Sequence, residues 1–409
     1  MNDTASTFEP RYATRASRMR GSEIRELLKL LDQPGVISFA GGIPDPALFP
    51  VDAVKAAYAE ILSSAQGAAQ SLQYSASEGY TPLRDWIVQH MATRGIACTA
   101  DNIVVTNGSQ QALEFLGRLL LSPTDTALVA APTYLGALQA FSAYEPRYDT
   151  LGLEQGNRTP ASYLEGAAAA GGTAKFTYVV PDFANPTGIT LSLDGRQRLL
   201  ALSRDLDVPV LEDTAYAALR FEGADIAPLQ ALDIQACGHI DRSRVIYLGT
   251  FSKTLTPGLR VGWICAGAPL IRRLVLIKQA SDLNCPAINQ MVMHRVATET
   301  YDAQVTRART HYRAKRDAML AALEQHMPAG VTWTRPDGGL FIWATLPAQI
   351  DTAELLKRAV AEAKVAFVPG HAFFTDGTGR NTMRLSFSLP SQAKITEGIG
   401  KLGRLINGA

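Results

Sequence analysis

The stretch that decides the fold is residues 245–253, VIYLGTFSK, followed at residues 257–260 by PGLR. Its first four residues are apolar, which is typical of a strand buried on both faces of a sheet. Lys253 directly follows that strand. Because most lysines are solvated surface residues, a lysine in this position is a candidate functional group. A desolvated lysine close to a cation has a lowered pKa, as an amine nucleophile requires.

Apolar runs of the same kind recur along the chain. Each is followed by a turn and an amphipathic stretch, such as residues 110–121 and 196–206. This alternation predicts an α/β fold with a large domain built on a mainly parallel central sheet. The other predicted strands of that sheet cover residues 103–105, 127–129, 176–180 and 208–211.

The remaining segments predict a smaller α+β domain. A long charged helix is expected at residues 301–327, strands at 340–343 and 383–389, and a helix at 352–363. A further helix is expected near the N-terminus at Ser22 to Leu31, with Ser22 as its N-cap. We therefore assign residues 51–300 to the large domain. Residues 1–50 and 301–409 form the small domain.

Composition narrows the class of partner and the cellular location. The 39 lysines and arginines nearly balance the 38 aspartates and glutamates, so no bulk charge attracts nucleic acid or an anionic membrane. The four cysteines lie far apart and predict reduced buried thiols, with no disulfide framework or metal site. No apolar stretch is long enough for a bilayer. The N-terminal Arg/Ser/Thr/Ala bias resembles a transit peptide, but its acidic residues favour a cytoplasmic protein.

Polar residues directly follow several of the predicted strands, where ligands of open α/β sheets bind. After the strand at 103–105, residues 106–113 read TNGSQQAL, which predicts either an anion site at a helix N-terminus or a plain helix start. Asp213 and Tyr216 follow the strand at 208–211. A buried carboxylate there pairs with a protonated ring nitrogen, or serves as a helix N-cap.

The hydroxyls of Thr250 and Ser252 and the guanidinium of Arg260 suit a phosphate. Asn185, in the sequence PDFANPTG, either binds a phenolic oxygen or belongs to an ordinary turn. Arg384 lies between apolar strand residues, which is costly unless it is paired. Its partner is either a substrate carboxylate or an internal acid.

As a set, these residues resemble the class I/II aminotransferases of the fold-type-I pyridoxal-5′-phosphate (PLP) enzymes, over nearly the whole chain. The spacing Ser-Lys-x-x-x-Pro-Gly-x-Arg at 252–260, with an earlier Asn-Pro-x-Gly and Asp-x-x-Tyr, is specific as a combination. Within that group the chain looks most like the 2-aminoadipate and kynurenine aminotransferases. The stretches that carry this likeness are residues 24–30, 38–44, 72–75 and 367–370.

The resemblance implies a role for each cofactor residue. Lys253 carries the cofactor as a Schiff base, Asp213 keeps the pyridine nitrogen protonated, and Tyr216 binds the 3′-oxygen together with Asn185. Tyr134 stacks on the ring, although a lone tyrosine is more often a core residue. The residues implied to hold the phosphate are Ser109, Gln110, Thr250, Ser252 and Arg260, joined by Tyr74 of a second subunit. The resemblance therefore implies a homodimer with shared active sites.

The resemblance also implies the substrate contacts. Arg384 binds the α-carboxylate of the amino acid, beside Asn185 and Gly42. The N-terminal helix closes over the site, and Arg25 matches the position that contacts an acidic side chain in the aminoadipate enzymes. On local pattern alone, Arg25 is more simply an exposed helix arginine. Because relatives accept acidic, branched and aromatic amino acids, Arg25 does not decide the substrate.

The expected reaction is ping-pong transamination from an L-amino acid to a 2-oxoacid such as 2-oxoglutarate. One alternative is a PLP-dependent lyase, since the shared motifs do not distinguish the two reactions. The other is the effector-binding half of a transcription regulator. That architecture needs a winged-helix domain before the helix at Ser22, where only about 20 residues are available.

Overall fold

The computed structural model describes residues 8, 11–18, 35–154 and 156–408. The predicted helix at Ser22 to Leu31 and Arg25 lie outside the described residues. Within those ranges, no helix is long and apolar enough to cross a membrane.

A seven-stranded sheet forms the centre of the molecule, in the order β2-β8-β7-β6-β5-β3-β4. All neighbouring strands are parallel except β8, which runs antiparallel to β2 and β7. The strands are β2 (Ile103–Thr106), β3 (Thr126–Ala130), β4 (Arg147–Leu151), β5 (Ala174–Val179), β6 (Val210–Asp213), β7 (Val245–Thr250) and β8 (Gly262–Cys265). The mainly parallel sheet is as the sequence predicts.

Two of these strands are absent from the sequence prediction. β4 is an edge strand with the sequence RYDTL, mostly polar and only partly buried, so it lacks the apolar run of a central strand. β8 begins two residues after the PGLR turn at 257–260 and has only four residues, so the sequence does not separate it from the turn. It is nevertheless wholly buried, and it runs antiparallel to β7, to which residues 251–261 connect it.

Both faces of the sheet are covered, as the apolar runs predict. In β7, Ile246 and Leu248 belong to one hydrophobic cluster, which includes Leu113 and Leu116 of a neighbouring helix. Tyr247, between them, belongs to a second cluster on the opposite face. A strand that alternates between two buried faces needs apolar residues at every position, so its sequence has no polar alternation.

Helices surround the sheet and extend beyond it. They are α1 (Val51–Ser63), α2 (Ala65–Leu72), α3 (Thr81–Thr93), α4 (Ser109–Leu120), α5 (Leu135–Ser142), α6 (Pro160–Ala169), α7 (Leu193–Leu206), α8 (Leu229–Cys237), α9 (Ala268–Gln279), α10 (Ala287–His326), α11 (Thr352–Arg358) and α12 (Gln392–Asn407). The long helix α10 begins fourteen residues before its predicted start at Tyr301. Its extra N-terminal turns are buried through Met291 and Val292, so they lack the charged pattern of the part that the sequence identifies.

A second sheet lies in the C-terminal part of the chain, in the order β12-β13-β10-β9. Its strands are antiparallel: β9 (Thr332–Trp333), β10 (Phe341–Thr345), β12 (Val368–Pro369) and β13 (Thr382–Ser386). The predicted helix at 352–363 is α11 followed by a π-helical turn at Ala359–Ala363.

The segment near the N-terminus joins this C-terminal part. Strand β1 (Ile37–Ser38) pairs in parallel with β11 (Val365–Ala366), and Ser386 donates its N–H to the Phe39 carbonyl. The limits of the two domains stay a prediction.

All four cysteines are free thiols, but Cys98 and Cys237 are partly exposed, so the expectation that all four are buried is wrong for these two.

Candidate active site

The predicted cofactor residues lie at the carboxyl ends of the central strands. Asp213 is the last residue of β6, and Thr250 is the last residue of β7. Gly108 follows β2 and precedes α4. The segment around residue 42, which precedes α1, reaches the same place from outside the sheet, because Lys253 contacts it directly.

Lys253 is held at this edge by the turn that ends β7. Its Nζ donates to the Gly42 carbonyl at 3.0 Å and lies 5.7 Å from the centre of the Tyr216 ring. Desolvation, together with the charges of Arg384 and Arg260, lowers the pKa of Lys253 to about 8, while Asp213 opposes this shift. An amine with this pKa is partly neutral near neutral pH, so it is available as a nucleophile and as a base.

Asp213 is buried, with 3% of its surface exposed. Its Oδ2 accepts the Tyr178 hydroxyl at 2.9 Å, and its Oδ1 accepts the Ala215 N–H at 3.3 Å. Burial raises its pKa from 3.8 to about 6, although both hydrogen bonds and Lys253 favour the ionised form. A cation placed against this carboxylate would remove that desolvation cost.

Arg384, in the middle of β13, is 2% exposed. Its Nη1 donates to Asn185 Oδ1 at 2.8 Å and its Nη2 to the Ala40 carbonyl at 2.6 Å. The guanidinium stacks on Phe341, 4.4 Å from the ring centre, and burial lowers its pKa to about 10. Its Nε is buried and has no hydrogen-bond partner in the described part of the chain.

The sequence also allows Arg384 to form an internal ion pair instead of binding a substrate carboxylate. Within the described ranges, no carboxylate lies within 4.0 Å of its guanidinium, and its two contacts are neutral oxygens. A buried cation with neutral partners and one unsatisfied donor is costly. An anionic ligand with two oxygens satisfies this arrangement.

Two tyrosines border the same pocket. Burial and the nearby Asp213 carboxylate raise the pKa of Tyr134 to about 12. Burial, followed by the proximity of Tyr134, raises the pKa of Tyr216. Both phenols are therefore protonated at neutral pH, so each hydroxyl is able to donate a hydrogen bond.

The predicted phosphate residues meet on three elements. Thr250 Oγ1 donates to Ser252 Oγ at 2.9 Å and accepts the Ser252 N–H at 3.1 Å, which fixes the turn after β7. Arg260 Nη2 donates to the Asn107 carbonyl at 3.0 Å, so the guanidinium lies against the turn after β2. In that turn Gly108 has φ of 82°, and a Cβ there would lie 2.5 Å from Arg260 Nη2. Only glycine fits this position.

The N-terminus of α4 completes this group. Ser109 is its first residue, so its backbone N–H is one of those that a helix leaves unpaired. Gln110 turns its amide to the Gly136 carbonyl at 2.7 Å. Hydroxyls, a guanidinium and a helix N-terminus together suit a phosphate dianion.

One predicted residue, Tyr74, does not reach this site within the described part of the chain. Tyr74 is 78% exposed and lies in the turn between α2 and α3. Arg25 lies outside the described residues. The predicted contribution of Tyr74 to a second subunit stays a prediction.

Sequence reasoning missed Tyr178, which donates to Asp213. It lies within the apolar run at 176–180 and is fully buried on the face that carries the Asp213 carboxylate. Alternation along the strand separates the two faces, but nothing in the sequence shows which face carries the site.

The family model for aminotransferases of class I and II matches residues 34–402. The chain belongs to this family. It is 42% identical over 404 residues to aromatic-amino-acid aminotransferase 1 of Thermococcus litoralis, covering 98% of this chain and 94% of the relative. The chain is therefore an aminotransferase, as the sequence predicts.

Two solved structures support the fold and the cofactor. The α-aminoadipate aminotransferase LysN of Thermus thermophilus, with a phosphopyridoxyl-leucine adduct, superposes with a TM-score of 0.87 at 38% identity over 98% of both chains. The kynurenine aminotransferase of Pyrococcus horikoshii, with pyridoxamine phosphate, gives 0.90 at 41% identity, also over 98% of both chains. The enzyme has the PLP fold type I and uses PLP.

The residues present fit this cofactor. The lowered pKa of Lys253 suits an amine that must bond to an aldehyde. The desolvated carboxylate of Asp213 suits a protonated pyridine nitrogen, and the hydroxyls of Thr250 and Ser252, together with Arg260, suit the phosphate.

Proposed function

We propose that this aminotransferase moves the amino group of an L-amino acid to a 2-oxoacid such as 2-oxoglutarate, in a ping-pong cycle. The observation that carries this proposal is the pair formed by Lys253 and Arg384. Lys253 bonds the carbonyl of Gly42 and Arg384 bonds the carbonyl of Ala40, two residues apart. A cation for a carboxylate and an amine for proton transfer therefore border the same segment.

The proposed donor is an aromatic amino acid, 2-aminoadipate or a similar acidic or branched amino acid. The relatives described above are named for aromatic amino acids, α-aminoadipate and kynurenine. What these donors share is an α-amino acid group, which needs one carboxylate site and one base. Arg384 and Lys253 supply these two groups, and the donor side chain is left to the rest of the pocket.

Each residue then has a defined task. PLP, when bound, supplies the electron sink for the bonds at the substrate Cα. Lys253 Nζ would take the proton from the substrate Cα and carry it to the cofactor, as its pKa of about 8 permits. Asp213 would keep the pyridine nitrogen protonated, and Tyr178 orients the Asp213 carboxylate.

Arg384 orients the substrate by binding its carboxylate bidentately, with its free Nε as an additional donor. Asn185, which is bonded to Arg384, and Tyr216 would hold the 3′-oxygen of the cofactor. Residues 107–110 would hold the phosphate together with Thr250, Ser252 and Arg260.

We further propose a homodimer in which each subunit gives Tyr74 to the partner subunit's phosphate site. Tyr74 is 78% exposed in the single chain, so a partner subunit can reach its side chain. Location in the cytoplasm stays a prediction.

The test is a visible absorption titration of the purified holoenzyme. We expect the band of the lysine-bound cofactor to bleach with one or more of 2-aminoadipate, glutamate, leucine and kynurenine, and to return with 2-oxoglutarate. Lys253→Ala, which keeps the phosphate site, should abolish the band and the turnover. A band that never converts to the pyridoxamine form, while the amino acid is consumed without an added 2-oxoacid, would instead identify a lyase.

A further inference from the structure

Behind the turn at residues 107–110 lies a fully buried lysine that takes no part in the site described above. Lys278, in the last turn of α9, has 0% of its side chain exposed. Its Nζ donates to both carboxylate oxygens of Asp282 at 3.0 Å, and to Gln111 Oε1 at 3.3 Å. Cys285 Sγ is 3.1 Å away. Lysines are almost never fully buried unless they are paired, and the side chain of the partner Asp282 is 24% exposed, so the position of this lysine needs an explanation.

Asp282 connects this lysine to the turn. Its Oδ2 also accepts from Asn107 Nδ2 and from Gln111 Nε2, each at 2.7 Å. Gln111 Oε1 in turn accepts the backbone N–H of Asn107 at 2.8 Å. On the other side, Arg260 donates to the Asn107 carbonyl. The backbone N–H, the carbonyl and the side-chain amide nitrogen of Asn107 are therefore all held.

This anchoring matters because Asn107 leads into Gly108 and the first turn of α4. The unpaired N–H groups of that turn point at an anion only if the preceding peptides keep their orientation. The side chain of Asp282 supplies that orientation, but it also places a negative charge beside an anion site. Lys278 cancels that charge at a distance of 3.0 Å.

Resting on the proposed function, in which residues 107–110 hold the cofactor phosphate, we propose that Asp282 and Lys278 are positioning residues for that phosphate. Asp282 holds the turn through Asn107. Lys278 neutralises Asp282, so that the carboxylate orients the turn without repelling the phosphate.

The experiment compares the affinity of the cofactor-free enzyme for PLP and for pyridoxal, which lacks the phosphate, through the lysine-bound absorption band. Lys278→Met leaves the Asp282 carboxylate unpaired, so we expect PLP to bind at least about tenfold more weakly. The affinity for pyridoxal should change by less than about twofold, since no phosphate is present to be repelled. The ratio of the two affinities is thus the readout.

Two further variants separate charge from packing. Lys278→Met with Asp282→Asn removes both charges, and the new amide still offers an oxygen to Asn107, so most of the PLP affinity should return. Asp282→Asn alone keeps the lysine charge, and its ratio of PLP to pyridoxal affinity should equal or exceed the wild-type ratio. A purely structural role predicts the opposite order, with the double variant the weakest.

Lys315→Met is the matched control. Lys315 lies on the helix α10, away from the turn at residues 107–110. It is also buried and donates to a carboxylate oxygen, Asp45 Oδ2, at 2.6 Å. Its substitution should leave the affinity ratio unchanged. If wild-type enzyme forms no lysine-bound band, the proposed function fails. If the band forms but Lys278→Met keeps the wild-type ratio, only the role of Lys278 and Asp282 is refuted.

Discussion

Replacing Asp213 with asparagine should make the cofactor-free enzyme more stable while it abolishes transamination. The carboxylate is buried, and burial raises its pKa from 3.8 to about 6. Because the folded protein holds this proton more tightly than the unfolded chain, stability falls as pH rises between about 4 and 6. The loss of folding stability caused by the ionised Asp213 is absent below pH 3.8 and complete above about pH 6.

The size of the effect follows from the pKa and from the hydrogen bonds. The rise to about 6 corresponds to about 3 kcal/mol at neutral pH. Asparagine has one acceptor oxygen, so it cannot accept both the Tyr178 hydroxyl and the Ala215 N–H. Losing one of these bonds costs about 1 kcal/mol. The net gain expected for Asp213→Asn in the cofactor-free enzyme is therefore about 2 kcal/mol.

Urea unfolding of cofactor-free wild type and Asp213→Asn, at one protein concentration, measures this difference. It should be about 2 kcal/mol at pH 7.5, and it should shrink below pH 6 and change sign near pH 4. Asp45→Asn is a control for which the free energy of unfolding should change in the opposite direction. Hydrogen bonds from Lys315 and His311 contribute to a lowered pKa of Asp45, so removing this carboxylate should destabilise the folded enzyme. A cofactor-free Asp213→Asn that is less stable than wild type at pH 7.5 would refute the reasoning.

Three further predictions follow from the same geometry. Arg384→Lys keeps the charge but loses the bidentate fork, so KM for the amino acid should rise about a hundredfold, measured by steady-state kinetics. The rate at which cofactor-free enzyme captures PLP should rise with pH through about 8, followed by stopped-flow absorbance, because only the neutral Lys253 amine attacks. Arg384→Gln removes a nearby cation and should move that midpoint upward. Gly108→Ala places a Cβ against Arg260 at a φ of 82°, so it should weaken PLP binding in an equilibrium titration and lower the melting temperature.

Much of this arrangement is predictable from the sequence because it depends on where strands end. Lys253 and Asp213 follow apolar runs that can only be buried strands, and the ends of parallel strands meet at one edge of a sheet. Arg384 is predictable for a different reason. Burying a cation within an apolar strand costs free energy unless an anion compensates its charge, so the sequence indicates an anionic ligand or an internal acid as its partner.

Other features are set by packing across distant segments, which local pattern does not record. Tyr178 looks like any aromatic strand residue until its strand pairs with β6 and places its hydroxyl beside Asp213. Lys278 looks like an ordinary charged residue of an amphipathic helix, since Asn107 and Gln111, which share its partner Asp282, come about 170 residues earlier. The contact between Lys253 and the Gly42 carbonyl joins segments separated by 211 positions.

The charges of the pocket argue for the kind of ligand it binds. Lys253 is affected by two cations, Arg384 and Arg260, and by one carboxylate, Asp213. Desolvation, followed by these two positive charges, lowers the pKa of Lys253 to about 8, whereas burial lowers the pKa of Arg384 only to about 10. At neutral pH the guanidinium of Arg384 is therefore charged, while a fraction of the Lys253 amine is neutral. A ligand with one phosphate and one carboxylate compensates both guanidiniums, so the charges of the site favour a dianionic or more highly charged ligand.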